Sequence, residues 1–172
     1  IIPSYRPLIG GAEIQLEGLL SHLALSKKFK FQVITRKLYN STNIKNIKHI
    51  KCFQLNKLFS LILFFYIIKE YKKFHIMHCH TLTSPFYVCA ILSLLLKKPL
   101  IVKVTRFGIN SQIDEIKKSF FKYLFFKILK KKIHFVALNK YIYQELLALN
   151  IDKNKISIIG NGVNINSINI KI

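Results

Sequence analysis

Acidic residues are scarce in this 172-residue chain, which has 7 Asp and Glu against 28 Lys and Arg. The three cysteines are widely spaced and form no CxxC pair, so the sequence offers few ligands for zinc. An odd number of cysteines, at positions 52, 79 and 89, also argues against a disulfide framework and is typical of a reducing cytosol. We therefore expect a cytoplasmic protein with neither a zinc site nor disulfides.

Long apolar stretches are absent as well. Leu58–Ile68 falls well short of the roughly 20 residues that span a bilayer, so no transmembrane helix is expected. The N-terminus has no initiator Met and no charged region followed by an apolar segment, so no signal peptide is indicated. We expect a single domain whose first residue lies at a cut.

Positive charge is in excess, with a formal net charge of +21. Such a charge attracts phosphate-bearing surfaces, either nucleic acid or anionic lipid. Two interpretations stay open: an AT-rich coding sequence that supplies many merely solvated lysines, or a basic surface that faces a membrane. A nucleic-acid-binding domain is the remote alternative, because no helix-turn-helix, RRM or zinc-finger signature is present.

Helix-like and strand-like segments alternate along the chain. The predicted helices are Ala12–Lys28, Lys57–Phe74, Ser84–Leu96, Asp114–Lys132 and Lys140–Leu149. The predicted strands are Phe31–Thr35, Ile47–Leu55, His75–His80, Leu100–Thr105, Phe135–Leu138 and Ile156–Ile159. The strands are short and nearly all apolar, which predicts an α/β fold with a parallel sheet covered by helices on both faces. Ligands of such sheets bind beyond the carboxyl ends of the strands.

Gly10 and Gly11 end a proline-containing loop at the start of the first predicted helix. Glycine lets the backbone approach a ligand closely, and the unpaired N–H groups of a helix start favour phosphate or carboxylate. The segment is neither G-x-G-x-x-G nor a P-loop. An ordinary helix start is the alternative.

His78 and His80 lie at the end of a predicted strand, where residues two apart face the same side. Metal binding, a structural hydrogen bond and contact with a ligand are the three roles open to them. Of the pair, His80 is nearer the edge of the sheet.

Lys103 and Arg106 lie at and just beyond the tip of another predicted strand. A guanidinium there can bind phosphate or carboxylate through two hydrogen bonds, and a salt bridge or a solvated tip is the alternative. The last predicted strand runs into a turn at Gly160, Asn161 and Gly162.

In this order, these segments resemble the N-terminal domain of GT-B glycosyltransferases of family 4. The matching segments are Gly10–Glu13, His78–His80, Pro99–Thr105, Val136–Asn139 and Ile158–Asn164. The chain departs from the family pattern at Gly160 (usually Pro), Asn164 (usually Asp) and Arg106 (near a common His). The resemblance implies a Rossmann-like domain over residues 1–160 without its first strand. Residues 161–172 would then begin the interdomain hinge, with the C-terminal donor domain absent.

The resemblance further implies a retaining, hexosyl-type transferase that needs no metal or cofactor and moves a sugar from a nucleotide diphosphate to a hydroxyl. Its partners would be a nucleotide sugar and a glycan or lipid-linked acceptor, with no nucleic acid. Surface polysaccharide, lipopolysaccharide or glycolipid synthesis is the implied setting. The lysine-rich segment Asp114–Lys132 would contact the anionic inner face of the plasma membrane.

Site roles follow from the same resemblance. Gly10 and Gly11 would approach the donor phosphate, Lys103 and Arg106 would contact the acceptor or an anion, and Asn161 and Gly162 would belong to the hinge. The catalytic candidates are His80 and Arg106. Without the C-terminal domain the chain would be inactive, and an inactive remnant or a partner subunit is the alternative function.

Overall fold

The computed structural model describes residues 1–2, 11–26, 28–36, 47–50 and 56–162. The helices are α1 (Gly11–Ser26), α2 (Asn56–Glu70), α3 (Ser84–Leu95), α4 (Gln112–Lys117), α5 (Phe120–Leu129) and α6 (Lys140–Ala148). The strands are β1 (Val33–Arg36), β2 (Ile47–Ile50), β3 (Met77–Cys79), β4 (Leu100–Val104), β5 (Ile133–Ala137) and β6 (Ile156–Ile158). Strand and helix thus alternate as predicted. The predicted strand Ile47–Leu55 is described only to Ile50, because residues 51–55 lie outside the described ranges.

The strands of each sheet run parallel. β1 pairs with β2, and β3 to β6 form a four-stranded sheet in chain order. The first two residues lie between the sheets, where the Ile2 amide donates to the Ile34 carbonyl at 3.1 Å. The Ile1 carbonyl accepts from the His80 amide at 3.0 Å. A Rossmann-like parallel sheet is therefore confirmed.

The main core lies between the four-stranded sheet and α2, α3, α5 and α6. Alternate residues of the strands, Val102 and Phe135 among them, face these helices and are fully buried. The Phe126 ring of α5 lies 6.0 Å from the rings of both Phe86 in α3 and Phe135 in β5. Apolar side chains on both layers thus remove the inner face of the sheet from water.

Helix α1 covers the opposite face of the sheet. Leu16 packs with Ile2 and Val33 in a second, smaller cluster. Gln15 accepts a hydrogen bond from Lys103, which alternates with the core residues of β4 and so points away from the main core. Helices on both faces are therefore confirmed.

Side-chain caps and a left-handed residue mark the ends of two helices. The Ser111 hydroxyl accepts the Asp114 amide at 3.0 Å and caps α4, and the Asn139 side chain accepts the Ile142 amide at 2.9 Å and caps α6. At the other end, α6 is followed by Asn150, whose φ of 55° is in the left-handed region. These caps fix where the chain leaves and rejoins the sheet.

The predicted single helix Asp114–Lys132 is wrong, because two helices and a short 3-10 turn occupy this segment. The backbone of Ser119 is extended, with φ −119° and ψ 114°, and separates α4 from α5. Ile116 and Phe126 are both buried in the core. Ser119 occupies the N-cap of α5, a position that serine favours. The helices on the two sides of this break both contribute to the same core.

Among the described helices, none combines the length and the hydropathy of a bilayer-spanning segment. The α5 segment instead carries a series of exposed apolar side chains among its lysines. Those side chains are Phe120, Phe121, Leu124, Phe125 and Ile128.

Candidate functional site

Several polar side chains meet at the carboxyl edge of the four-stranded sheet. Because the strands are parallel, the residues that follow β3, β4 and β6 meet at one edge. These residues include His80, Thr105 and Asn161. The first turns of α1 reach the same edge, because Gln15 contacts the β4 side chain Lys103.

Lys103 forms the centre of this edge. Its side chain is 5% exposed, and its ammonium donates to Gln15 Oε1 and, at 3.2 Å, to Asn161 Oδ1. Burial lowers the pKa of Lys103. Both hydrogen-bond partners are neutral amides, so the ammonium has no carboxylate among its described hydrogen-bond partners. A buried cation held only by neutral groups favours an anionic ligand.

The two histidines face one side of β3, as predicted. Their rings stack at a centroid distance of 4.3 Å and an interplanar angle of 29°. Burial is the main cause that lowers the pKa of His78 to about 4 and the pKa of His80 to about 2. The charges of the Ile1 ammonium and Lys103 add to both shifts, and His78 adds to the shift in the pKa of His80. Both imidazoles are therefore neutral at neutral pH.

Each of these histidines also carries a buried ring nitrogen without a hydrogen-bond partner in the described part of the chain. The atoms are Nε2 of His78 and Nδ1 of His80. Leaving a buried polar atom unpaired costs about 1–3 kcal/mol. A hydroxyl-bearing ligand can pair with such atoms, whereas no described group of three His, Cys, Asp or Glu side chains could hold a metal ion.

Gln112 joins the loops after β3 and β4. Its amide nitrogen donates to the hydroxyls of Thr81 at 3.0 Å and Thr105 at 3.4 Å, and its oxygen accepts the Thr105 amide at 3.4 Å. The sequence analysis did not select Gln112. Its spacing from the apolar Ile113 and Ile116 could have placed it on the buried face of α4.

Arg106 lies apart from Lys103. The prediction placed both cations at the tip of β4, but only Arg106 is exposed there, where it is 3.6 Å from Glu115. Next to it, Gly108 has a φ of 81°, which favours glycine, and its amide donates to Glu145 at 3.0 Å. Arg106 therefore lies at the solvent side of the edge.

Of the predicted glycine and hinge residues, the structure describes Gly11, Asn161 and Gly162 but not Gly10. Gly11 is the first residue of α1 and is exposed, and a Cβ added there would meet no atom within 4 Å. Gly10 lies outside the described residues. Asn161 contacts Lys103, so a residue selected as part of the hinge also belongs to the edge. Gly162 is exposed beside it, and residues 163–172 lie outside the described ranges.

Comparison with known proteins gives one finding. The family model described as Glycosyltransferase Family 4 matches residues 9–167, which is most of the chain. The matched range contains α1, all six strands and every residue of the carboxyl edge described above. None of the curated proteins matches the chain.

Proposed function

Because this chain belongs to glycosyltransferase family 4 and folds as the N-terminal half of a GT-B enzyme, we propose that it forms the acceptor side of a retaining transferase. The proposed reaction breaks the bond between a sugar carbon and a nucleotide diphosphate and joins that carbon to an acceptor hydroxyl oxygen. The donor is a nucleotide sugar, and hexosyl transfer in surface polysaccharide, lipopolysaccharide or glycolipid synthesis is the proposed setting.

Lys103 supports this proposal most strongly. It is a buried ammonium whose described hydrogen-bond partners are both amides, at the edge where α1 begins. Negative charge develops on the leaving diphosphate, and a fixed cation in a site of low dielectric stabilises that charge. Helix-terminal N–H groups at Gly11, and at Gly10 before it, would contribute in the same way. No metal is needed in this scheme.

The remaining edge residues have separate proposed roles. His80 is neutral, and its Nδ1 has no partner among the described residues, so it would hydrogen-bond a sugar or acceptor hydroxyl. Arg106 cannot act as a base, since its guanidinium stays protonated, so its role is to bind or orient the acceptor. The donor-binding groups would belong to a second domain beyond the Asn161–Gly162 hinge.

Pyrophosphate binding tests the role of Lys103. We expect Lys103→Gln to weaken inorganic pyrophosphate binding by roughly tenfold, because a charge-assisted hydrogen bond is lost. Lys153→Gln is the matched control, since it removes the same charge from an exposed position after α6. Isothermal titration of both variants provides the measurement. Equal weakening by the two substitutions would show that only the net charge of the chain attracts the anion.

A further inference from the structure

An open cavity of about 550 Å³ lies between α3 and α5, away from the ammonium of Lys103. Its lining comes from the loop after β3 and from α3, α4 and α5. The apolar side chains Leu82, Ile91, Ile116 and Phe125 form much of its wall. A volume of this size falls within the usual range of ligand pockets, about 300–1,000 Å³.

Five polar residues also line the cavity, namely Thr83, Ser84, Tyr87, Glu115 and Lys122. Of these, Tyr87 and Lys122 suggest an amphipathic occupant. Tyr87 lines the wall, and its buried hydroxyl has no hydrogen-bond partner among the described residues. Burial raises the pKa of Tyr87 to about 12, so the hydroxyl remains a donor. Lys122 lies exposed on the lining and provides a positive charge. An apolar wall with a donor and a cation matches a hydrocarbon chain that ends in a phosphate.

The cavity also continues into the exposed face of α5. Phe121 and Phe125 belong to both, with 73% and 50% of their surfaces exposed. Together with the other exposed apolar residues of α5 and the nearby lysines, they form a surface that suits an anionic bilayer. The hydrocarbon chain of a lipid could therefore pass from the bilayer to the cavity without crossing an open polar surface.

The cavity also lies next to the candidate site along the chain. Its lining begins at Leu82, two residues after His80. Glu115 lines the cavity and pairs with Arg106 of the site at 3.6 Å. A lipid phosphate bound through its chain would thus carry its head group toward the acceptor side.

We infer that this cavity binds the hydrocarbon chain of a lipid phosphate, with the chain against Ile91 and Phe125 and the phosphate near Lys122. This deepens the proposed function by naming the acceptor class as lipid-linked, and it rests on that function only for the direction of the head group. Binding of the chain itself needs no transferase activity.

A tryptophan reporter tests the inference, because the chain contains no Trp. Phe121→Trp places the reporter on the cavity wall, and Phe65→Trp places it at a similarly exposed position of α2. The probe is a bromine-labelled dodecyl phosphate, used below its micelle concentration. We expect saturable quenching in Phe121→Trp and not in Phe65→Trp. Equal quenching of both reporters would overturn the proposal.

A blocking substitution adds a second criterion. Ile91→Phe on the Phe121→Trp background reduces the cavity, so we expect at least tenfold more probe to be needed for half-quenching. Leu95→Phe, on an exposed position of the same helix, is the control and should leave the curve unchanged. Unchanged quenching in a folded Ile91→Phe protein, checked by circular dichroism, would contradict the proposal. If that variant does not fold, the comparison of quenching in Phe121→Trp and Phe65→Trp still tests the proposal.

Two further measurements separate this inference from the proposed function. Excess inorganic phosphate should not displace the probe; complete displacement would mean that the cavity does not hold the chain. Pyrophosphate binding should be the same with and without Ile91→Phe. Loss of pyrophosphate binding alone would count against the role of Lys103 and leave the cavity proposal standing.

Discussion

At the scale of residues, burial determines which side chains of the carboxyl edge are unusual. Lys103 and His80 are respectively 5% and 4% exposed, although both are ionisable residue types. Lysine is rarely buried without a partner of opposite charge, and a buried ionisable group whose pKa is shifted is a common feature of functional sites. Arg106, which is exposed and loosely paired with Glu115, is the ordinary surface counterpart.

Stability should depend on pH through the two stacked histidines. In the folded chain they stay neutral down to pH about 4 for His78 and about 2 for His80, whereas in the unfolded chain they take up a proton near 6.5. The unfolded state therefore binds more protons below pH 6.5, and the free energy of unfolding falls as the pH falls. The slope should reach about 1.4 kcal/mol per pH unit for each histidine.

Urea unfolding at a series of pH values measures this slope. His80→Asn should roughly halve it, since one of the two histidines with a lowered pKa is gone. His75→Asn changes an exposed histidine and should keep the slope. An unaltered slope in His80→Asn would mean that the pKa of His80 is the same in the folded and the unfolded chain.

Residue positions were predictable where a local period determines them. The shared face of His78 and His80 follows from the two-residue repeat of a strand. The burial of Lys103 was not predictable, because it depends on the packing of α1 across the sheet. Gln15 of α1, which contacts Lys103, is 88 positions away in sequence. Gln112 was missed for a similar reason, since its partners Thr81 and Thr105 come from two separate loops.

At the scale of elements, the alternation of strands and helices was predictable and the break between α4 and α5 was not. Apolar runs such as Leu100–Val104 have few alternatives to a buried strand. The break lies at the extended backbone of Ser119, inside a continuous run of apolar and basic residues, and the periodicity of that run does not mark its position. The consequence is a short, separate α5 whose exposed apolar side chains lie beside lysines.

Helix α5 should bring the protein to anionic membranes. We expect more protein to sediment with vesicles of phosphatidylglycerol and phosphatidylcholine than with phosphatidylcholine alone, and the excess to shrink at high salt. Each lysine near the surface contributes up to about 1 kcal/mol. The double variant Phe120→Ser/Ile128→Ser should reduce sedimentation, because it removes apolar side chains outside the cavity.

Phe65→Ser is the matched control, since this ring is also exposed but lies on α2. It should sediment like the unaltered protein. Sedimentation that ignores anionic lipid content would refute the membrane contact, and equal losses in the variant and the control would assign it to another surface.

At the scale of the whole molecule, the described residues form one edge of the proposed active site, and the groups that hold the donor base are expected elsewhere. In the proposed enzyme these groups belong to a second domain. Transfer assays therefore need a protein that includes such a domain. In that protein, Arg106→Ala should lower kcat/KM for the acceptor by about tenfold, since a charged hydrogen bond to the substrate is lost.

Lys72→Ala provides the comparison, because Lys72 lies before β3 and thus at the opposite edge of the sheet. Its kcat/KM should stay at the original value. Full turnover by Arg106→Ala would rule out the role proposed for Arg106, without affecting the role of Lys103.

The contact between Lys103 and Asn161 has a thermodynamic consequence for anion binding. Asn161 stands where the chain leaves β6, and its side chain occupies a position on the ammonium that an anion would also seek. An anion that binds Lys103 in this position must break the hydrogen bond to Asn161. Anion binding and this hydrogen bond therefore oppose each other, and each weakens the other by the same free energy.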